Sequence, residues 1–135
     1  DDTPEVAEMI AKFESEYEQI CLENQLGVIN YYALASGFLS GKYRSEDDLN
    51  KSQRGGGIKN YLNERGYRIL KALDQVAEQY NATPASVALA WLLARRSVTA
   101  PIASVTNLQQ LKDLTQAAAI KLQNEDLSIL DEASQ

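Results

Sequence analysis

Residues 27–44, GVINYYALASGFLSGKYR, run an apolar stretch with two tyrosines into small residues, two glycines and the cations Lys42 and Arg44. That order fits a buried parallel strand whose C-terminal end opens into a ligand-binding loop, where backbone can approach a ligand and a nearby cation can meet an anion. A second junction of the same kind, TAPIASVTNLQQL at residues 99–111, takes a short apolar strand into a capped helix. Free N–H groups at that helix start are expected to favour an anion without a basic side chain. Together the two junctions suggest half of a cofactor cradle. On paper Tyr31 or Tyr32 beside Lys42 imitates a Tyr–Lys proton-transfer pair, but nothing in the sequence orients them, and we reject that reading.

Composition removes other chemistries. Histidine is absent, which excludes imidazole bases, Ser-His-Asp triads and nearly every zinc site, so no metal centre is expected. The lone Cys21 excludes an intramolecular disulfide and suits a reducing cytosol; it falls in an apolar stripe, where a packed thiol is expected rather than a reactive one. No apolar run approaches the ~20 residues that span a bilayer and no signal peptide is seen, so no membrane partner and a cytoplasmic location are expected. The net charge of −6 argues against nucleic acid as a partner. The charge is uneven: residues 1–41 hold eight acids and one base, Lys12, whereas residues 42–71 hold eight bases and four acids. The basic block reads either as a solvated face or as local attraction for an anionic ligand.

The elements that must position these junctions follow from periodicity and capping. Thr3-Pro4-Glu5 is a helix-start signal, and Val6, Met9, Ile10, Phe13, Tyr17, Ile20 and Cys21 continue one apolar stripe over residues 5–24. The first strand is predicted over residues 28–34, apolar enough to be buried on both faces. Residues 44–60 form a polar, glycine-rich stretch, either disordered or a flap over a ligand. A helix then carries Leu62, Ile69, Leu73, Val76 and Tyr80. Thr83-Pro84 starts another, whose apolar residues 87–94 make it the most buried helix. The second strand is predicted over 98–103. Asn107 to Gln110 reads as a capping box for a helix to Ala119, and Asn124 as the cap of a last helix. All 135 residues are read as one domain, α/β in class, helix-rich, with about two parallel strands. Two strands are too few for a parallel sheet, so the pattern is expected to be a slice of something larger.

Three pieces, VINYYALASGFLSGKYR, TPASVALAWLLARRSVTAPIASVTNLQQL and KLQNEDLSILDEAS, are similar in order and spacing to the C-terminal part of the aldo-keto reductase family. The resemblance covers about residues 12–134. It implies a partial (β/α)8 barrel and NADP(H)-dependent reduction of aldehydes or ketones by the whole enzyme. Carried over by position, Tyr31 matches the aromatic that stacks on nicotinamide. Leu34, Gly37 and Leu39 match the loop beside the pyrophosphate, and Lys42 a lysine just beyond it. Ala103, Ser104 and Thr106 match the loop near the adenosine 2′-phosphate, and Gln110 and Asp113 the helix face toward adenine.

Departures from the family pattern matter as much. Relatives often carry a lysine near Ser104 and an arginine near Gln110; neither is here, which leaves NADP(H) versus NAD(H) open. Tyr32 and Ala33 stand where many members have serine and proline, and Val6 and Ala7 roughly where a Tyr-Asn pair is usual. The family's catalytic Asp, Tyr, Lys and His belong to the N-terminal half, so no catalytic residue is assigned and this chain alone is expected to be inactive, with weak or no cofactor binding. Two other readings stay open: a structural or engineered barrel piece that self-associates or pairs with a complementary barrel half, and a regulatory module that only binds a dinucleotide.

Overall fold

The computed structural model describes residues 16–30, 32–51 and 55–135. The expected start of the first helix, the comparison at Val6 and Ala7, and Tyr31 lie outside the described residues. The order is α1 (Glu18–Glu23), β1 (Val28–Asn30), 3-10 turns at Ala35–Ser40 and Glu46–Lys51, an α-helical turn at Gly55–Ile58, a 3-10 turn at Lys59–Tyr61, α2 (Glu64–Gln79), α3 (Pro84–Leu93), β2 (Val98–Pro101), α4 (Leu108–Ala119) and α5 (Asn124–Ser134). The helix-rich α/β barrel segment expected from the sequence is therefore present, with β1 and β2 paired in parallel through Val28–Val98, Ile29–Ala100 and Asn30–Pro101.

Both strands are shorter than predicted. The first ends at Asn30 rather than residue 34, because Tyr32 takes left-handed backbone (φ +63°) that a strand cannot contain; Ala35 and Ser36 just beyond are left-handed as well (φ +46° and +57°). The second ends at Pro101 rather than residue 103, since proline has no N–H to continue a ladder; one more bond, Ile102 N–H to the Asn30 carbonyl at 2.9 Å, closes the pair. Nor is β1 buried on both faces: Ile29 is 63% exposed. Cys21 is half-buried rather than enclosed.

The main core lies between α2, α3 and α5. Leu70, Leu73 and Val76 of α2 meet Val87 of α3 and Leu130 of α5, and Phe38, Tyr43 and Ile58 from the intervening turns complete it. Where described, residues 44–60 are not structureless but a run of helical turns that buries Ile58 in the core. Leu62 precedes α2 instead of belonging to it, and packs against the same core. A smaller cluster, Ala33, Leu89 and Ala117, ties α3 and α4 to the loop after β1. As expected α3 is the most deeply buried helix over Ala85–Ala90, although Leu93 and Ala94 at its end are exposed.

Helix starts follow side-chain chemistry closely. Thr83 Oγ1 accepts the Ser86 N–H at 3.2 Å with Pro84 in the first turn, as the sequence indicates. Asn107 Oδ1 likewise accepts the Gln110 N–H at 3.0 Å. The return arm of that box reaches one residue further than expected, Gln110 Oε1 accepting from Thr106 N–H at 2.7 Å. The last helix is capped by Gln123 and not by Asn124, which is its first helical residue. Replacing Thr83 by Ala is expected to cost about 1 kcal/mol, the usual worth of such a cap, read as a fall in the urea midpoint; Thr83→Ser should keep most of it.

Candidate functional site

At the C-terminal ends of the two strands the chain forms one open groove of about 850 Å3. That is the location at which parallel α/β folds place ligands, and the volume is within the range of small-molecule and cofactor sites. One wall is the loop after β1, with Leu34, Ser36, Gly37, Ser40 and Lys42. The opposite wall is the loop after β2 with the first turns of α4: Ala103, Ser104, Thr106, Gln110 and Asp113. Ala85 and Leu89 of α3 form an apolar floor between them.

The first wall owes its shape to its backbone. Ser36 and Gly37 are both left-handed, Gly37 at φ +100°, and Ser40 Oγ donates to the Gly37 carbonyl at 2.6 Å to close the turn. A Cβ placed on Gly37 would lie 3.3 Å from both Cε and Nζ of Lys42. The lysine therefore arches over bare backbone, with its Nζ also 5.0 Å from the Tyr43 ring centroid. Non-glycine residues held left-handed cost of order 1 kcal/mol each and concentrate at ligand clamps.

The second wall is internally tied. Thr106 N–H and Oγ1–H both donate to Gln110 Oε1, at 2.7 and 3.1 Å, and the Gln110 N–H is taken by Asn107. The expectation of free N–H groups here is therefore corrected at these two positions: the turn uses its own donors. The Asp113 carboxylate accepts from Gln109 Nε2 at 3.2 Å. Beneath it, Ser86 Oγ donates to the Asp113 carbonyl and anchors α4 on α3.

Eight of the ten sequence-chosen positions, Leu34, Gly37, Lys42, Ala103, Ser104, Thr106, Gln110 and Asp113, line this groove. Leu39 does not. The 3-10 turn rotates it away, and it packs toward the core beside a separate small hollow under Phe38 and Tyr61. Tyr31 lies outside the described residues. Tyr32, Ser36, Ser40, Ala85 and Leu89 also line the groove, and sequence reasoning did not select them as site residues. The four-residue spacing of Ala85 and Leu89 on one helix face was the available signal.

Among the described residues the basic block does not converge on the groove. Arg44 makes a bidentate pair with Asp74, at 2.7 and 2.8 Å, and hydrogen bonding to that carboxylate raises its already high pKa further. Lys59 pairs with Glu46, Arg68 with Glu64, and Arg65 Nε donates to the Ser134 carbonyl. Among the described residues Lys42 is the only cation lining the groove. No group of His, Cys, Asp and Glu suited to a metal ion occurs among the described residues, and no described helix is long and apolar enough to cross a membrane.

Two parallel strands ending in a loop-walled groove define a helix-rich α/β segment. The model of the Aldo/keto reductase family matches residues 8–135, and this chain belongs to that family. It is 30% identical over 116 residues to the aldo-keto reductase yakc [NADP(+)] of Schizosaccharomyces pombe, covering 84% of this chain and 34% of that protein. It is 31% identical over 122 residues to the probable aldo-keto reductase 1 of Glycine max, with 89% and 35% covered. The L-glyceraldehyde 3-phosphate reductase of Escherichia coli O157:H7 is 28% identical over 116 residues, with 81% and 34% covered. The chain thus spans about a third of the length of these curated relatives.

Proposed function

We propose that this chain forms the cofactor-holding wall of a carbonyl reductase and binds a nicotinamide dinucleotide weakly by itself, without turning over substrate. The observation that carries this reading is the juxtaposition of the Gly37 turn and Lys42 with the Ala103–Thr106 loop across one groove. The residues fit a dinucleotide. Gly37 leaves backbone bare where a pyrophosphate needs close approach, Lys42 supplies the counter-charge, and Ala85 and Leu89 give an apolar floor that excludes water. When bound, the cofactor supplies a hydride to a carbonyl carbon. The residues here orient it; the proton donor and its partners are assigned to the part of the family's barrel that this chain does not match. The lone half-buried cysteine supports a reducing, cytosolic setting.

Calorimetric titration with NAD(H) and NADP(H) is expected to give saturable binding in the high micromolar to millimolar range. Gly37→Ala should weaken it about tenfold, because the new Cβ meets Lys42 and disfavours φ +100°. NADPH with an aromatic aldehyde should show no loss of reduced-cofactor absorbance above a blank. Turnover that survives repurification contradicts the second half of the proposal, and unaltered affinity in Gly37→Ala contradicts the first.

A second reading concerns partners. Leu108 is 77% and Ile102 53% exposed, Ile29 and Leu111 are exposed as well, and Asn30 Oδ1 and Ser97 Oγ are buried with no partner among the described residues. Open sheet edges with apolar surface favour association. The isolated chain is expected to self-associate, with a light-scattering mass above its 14.9 kDa; a clean monomer at high concentration would remove this reading.

A further inference from the structure

Arg44 stands two residues beyond Lys42 and, unlike it, does not line the groove. Its guanidinium is placed at three points. Nη1 and Nη2 donate to the two carboxylate oxygens of Asp74 on α2, at 2.7 and 2.8 Å, and Nε donates to the Gly41 carbonyl at 2.6 Å. That carbonyl and the Lys42 N–H are the two ends of one planar peptide, so the bond fixes the plane from which the Lys42 side chain departs. Gly41 itself is left-handed at φ +76° and closes the 3-10 turn, its N–H donating to the Phe38 carbonyl at 3.0 Å. A Cβ there would lie 2.6 Å from Arg44 Nη2 and 3.3 Å from Pro84 Cγ, so the guanidinium occupies space that a side chain would take. The Arg44 N–H donates to Asp48 Oδ2 at 2.7 Å, which ties down the main chain beyond the turn as well.

Resting on the dinucleotide reading above, we infer that Arg44 is a positioning residue: clamped by Asp74, it sets the Gly41–Lys42 peptide and through it the place of the Lys42 ammonium on the groove wall. Stability is a poor explanation of this geometry, because the two side chains are 43% and 47% exposed and a pair so open adds little. What the arrangement supplies is direction. A planar guanidinium held by a two-point bond aims its Nε–H in the same plane, which an ammonium cannot reproduce. The turn it braces contains left-handed Ala35 and Ser36, conformations that persist only where surrounding structure over-determines them. Charge alone makes the opposite prediction: with Asp74 neutralised, an anionic dinucleotide should be drawn more strongly to Lys42. The clamp predicts weaker binding, because Lys42 then departs from an unfixed peptide.

The test is titration of the intact chain with NADH, followed by amide NMR, alongside Asp74→Asn, Arg44→Lys, Lys42→Met and the double variant Arg44→Lys with Lys42→Met. Asp74→Asn and Arg44→Lys should each weaken NADH about fivefold. The melting midpoint should move by no more than about 5 °C in either. Arg44→Lys should cost nothing further in the Lys42→Met background, since the arginine acts through that lysine. Unchanged or tighter binding in Asp74→Asn overturns the inference in favour of charge alone, and additive losses in the double variant overturn the route through Lys42. If the parent binds no NADH, the dinucleotide reading falls by itself, and the clamp is judged on amide nitrogen relaxation of the ligand-free chain. Faster motion confined to Gly41 and Lys42 in Asp74→Asn supports it; unaltered relaxation there overturns it.

Discussion

Gly66→Ala should destabilise the chain by about 3–4 kcal/mol and lower its melting midpoint by about 10 °C or more. A Cβ at this buried position in the first turn of α2 would lie 1.8 Å from the Tyr61 carbonyl oxygen and 3.0 Å from Phe38 Cζ. Neither neighbour can swing aside cheaply. The first is backbone, and the second is a fully buried ring stacked on Tyr61 at 5.3 Å between centroids. Alanine is better than glycine inside a helix by about 1 kcal/mol, so propensity alone predicts a gain. The overlap is the larger effect and decides the sign. The cap is exposed to the same displacement, since the Gly66 N–H donates to Asn63 Oδ1 at 2.9 Å. Phe38 directly follows Gly37, so the disturbance should reach the groove, and cofactor affinity should fall with stability. An unchanged or raised midpoint would show that the α2 start is not packed as described.

Asp126→Ala should cost about 3 kcal/mol, an effect out of proportion to one small side chain. Asp126 is 4% exposed, and its Oδ2 accepts the Tyr80 hydroxyl at 2.5 Å and the Gln123 N–H at 2.8 Å. Hydrogen bonds to a buried charge are worth about 1.5–3 kcal/mol each, and deletion strands donors from both α2's end and α5's cap. The Tyr80 hydroxyl also lies 3.2 Å from the Lys121 carbonyl, which moderates the loss on its side. The same contact makes a pH signature. The hydrogen bond to Asp126, then burial, then the charge of that carboxylate raise the Tyr80 pKa above its ordinary 10.0. The folded state therefore holds the phenolic proton more tightly than the unfolded state. That contribution is complete below about pH 10 and is lost as pH rises through the folded value. Urea midpoints measured between pH 8 and 11 should fall at the alkaline end in the parent chain and fall less in Tyr80→Phe. Identical alkaline slopes would contradict the contact.

Those two positions also show what a sequence does and does not disclose. Caps were legible at Thr83 and Asn107 because the capping oxygen and the first turn are neighbours in the chain. The last cap was displaced by one residue, since Gln123 and Asn124 are both plausible acceptors and only Asp126, reaching back to the Gln123 N–H, decides between them. The strand ends were not legible. Tyr32 carries no turn chemistry, yet its backbone is left-handed, so an apolar run that reads as seven residues of strand yields three. The clash at Gly66 is equally hidden, because Tyr61 and Phe38 reach it through tertiary packing.

The groove divides the same way. Positions fixed by a strand end, such as Leu34, Gly37 and Ala103 to Thr106, could be placed from the order of residues. Leu39 could not, because a 3-10 turn rotates the chain by about a third of a turn per residue and carries its side chain toward the core. Ala85 and Leu89 become groove residues only once α3 is known to pass beneath both strand ends.

The central claim is that the two strand-end loops act together as one dinucleotide wall. Amide NMR spectra of the isotopically labelled chain, titrated with NADH to millimolar concentration, test it most directly. Saturable shifts should concentrate at residues 33–37, at Lys42 and at 103–113 across the groove. The far side, where Trp91 Nε1 and Arg95 both donate to Asp131 at 2.8 Å, should stay still. Spectra without saturable shifts, or shifts centred on Trp91 and Asp131, would contradict it.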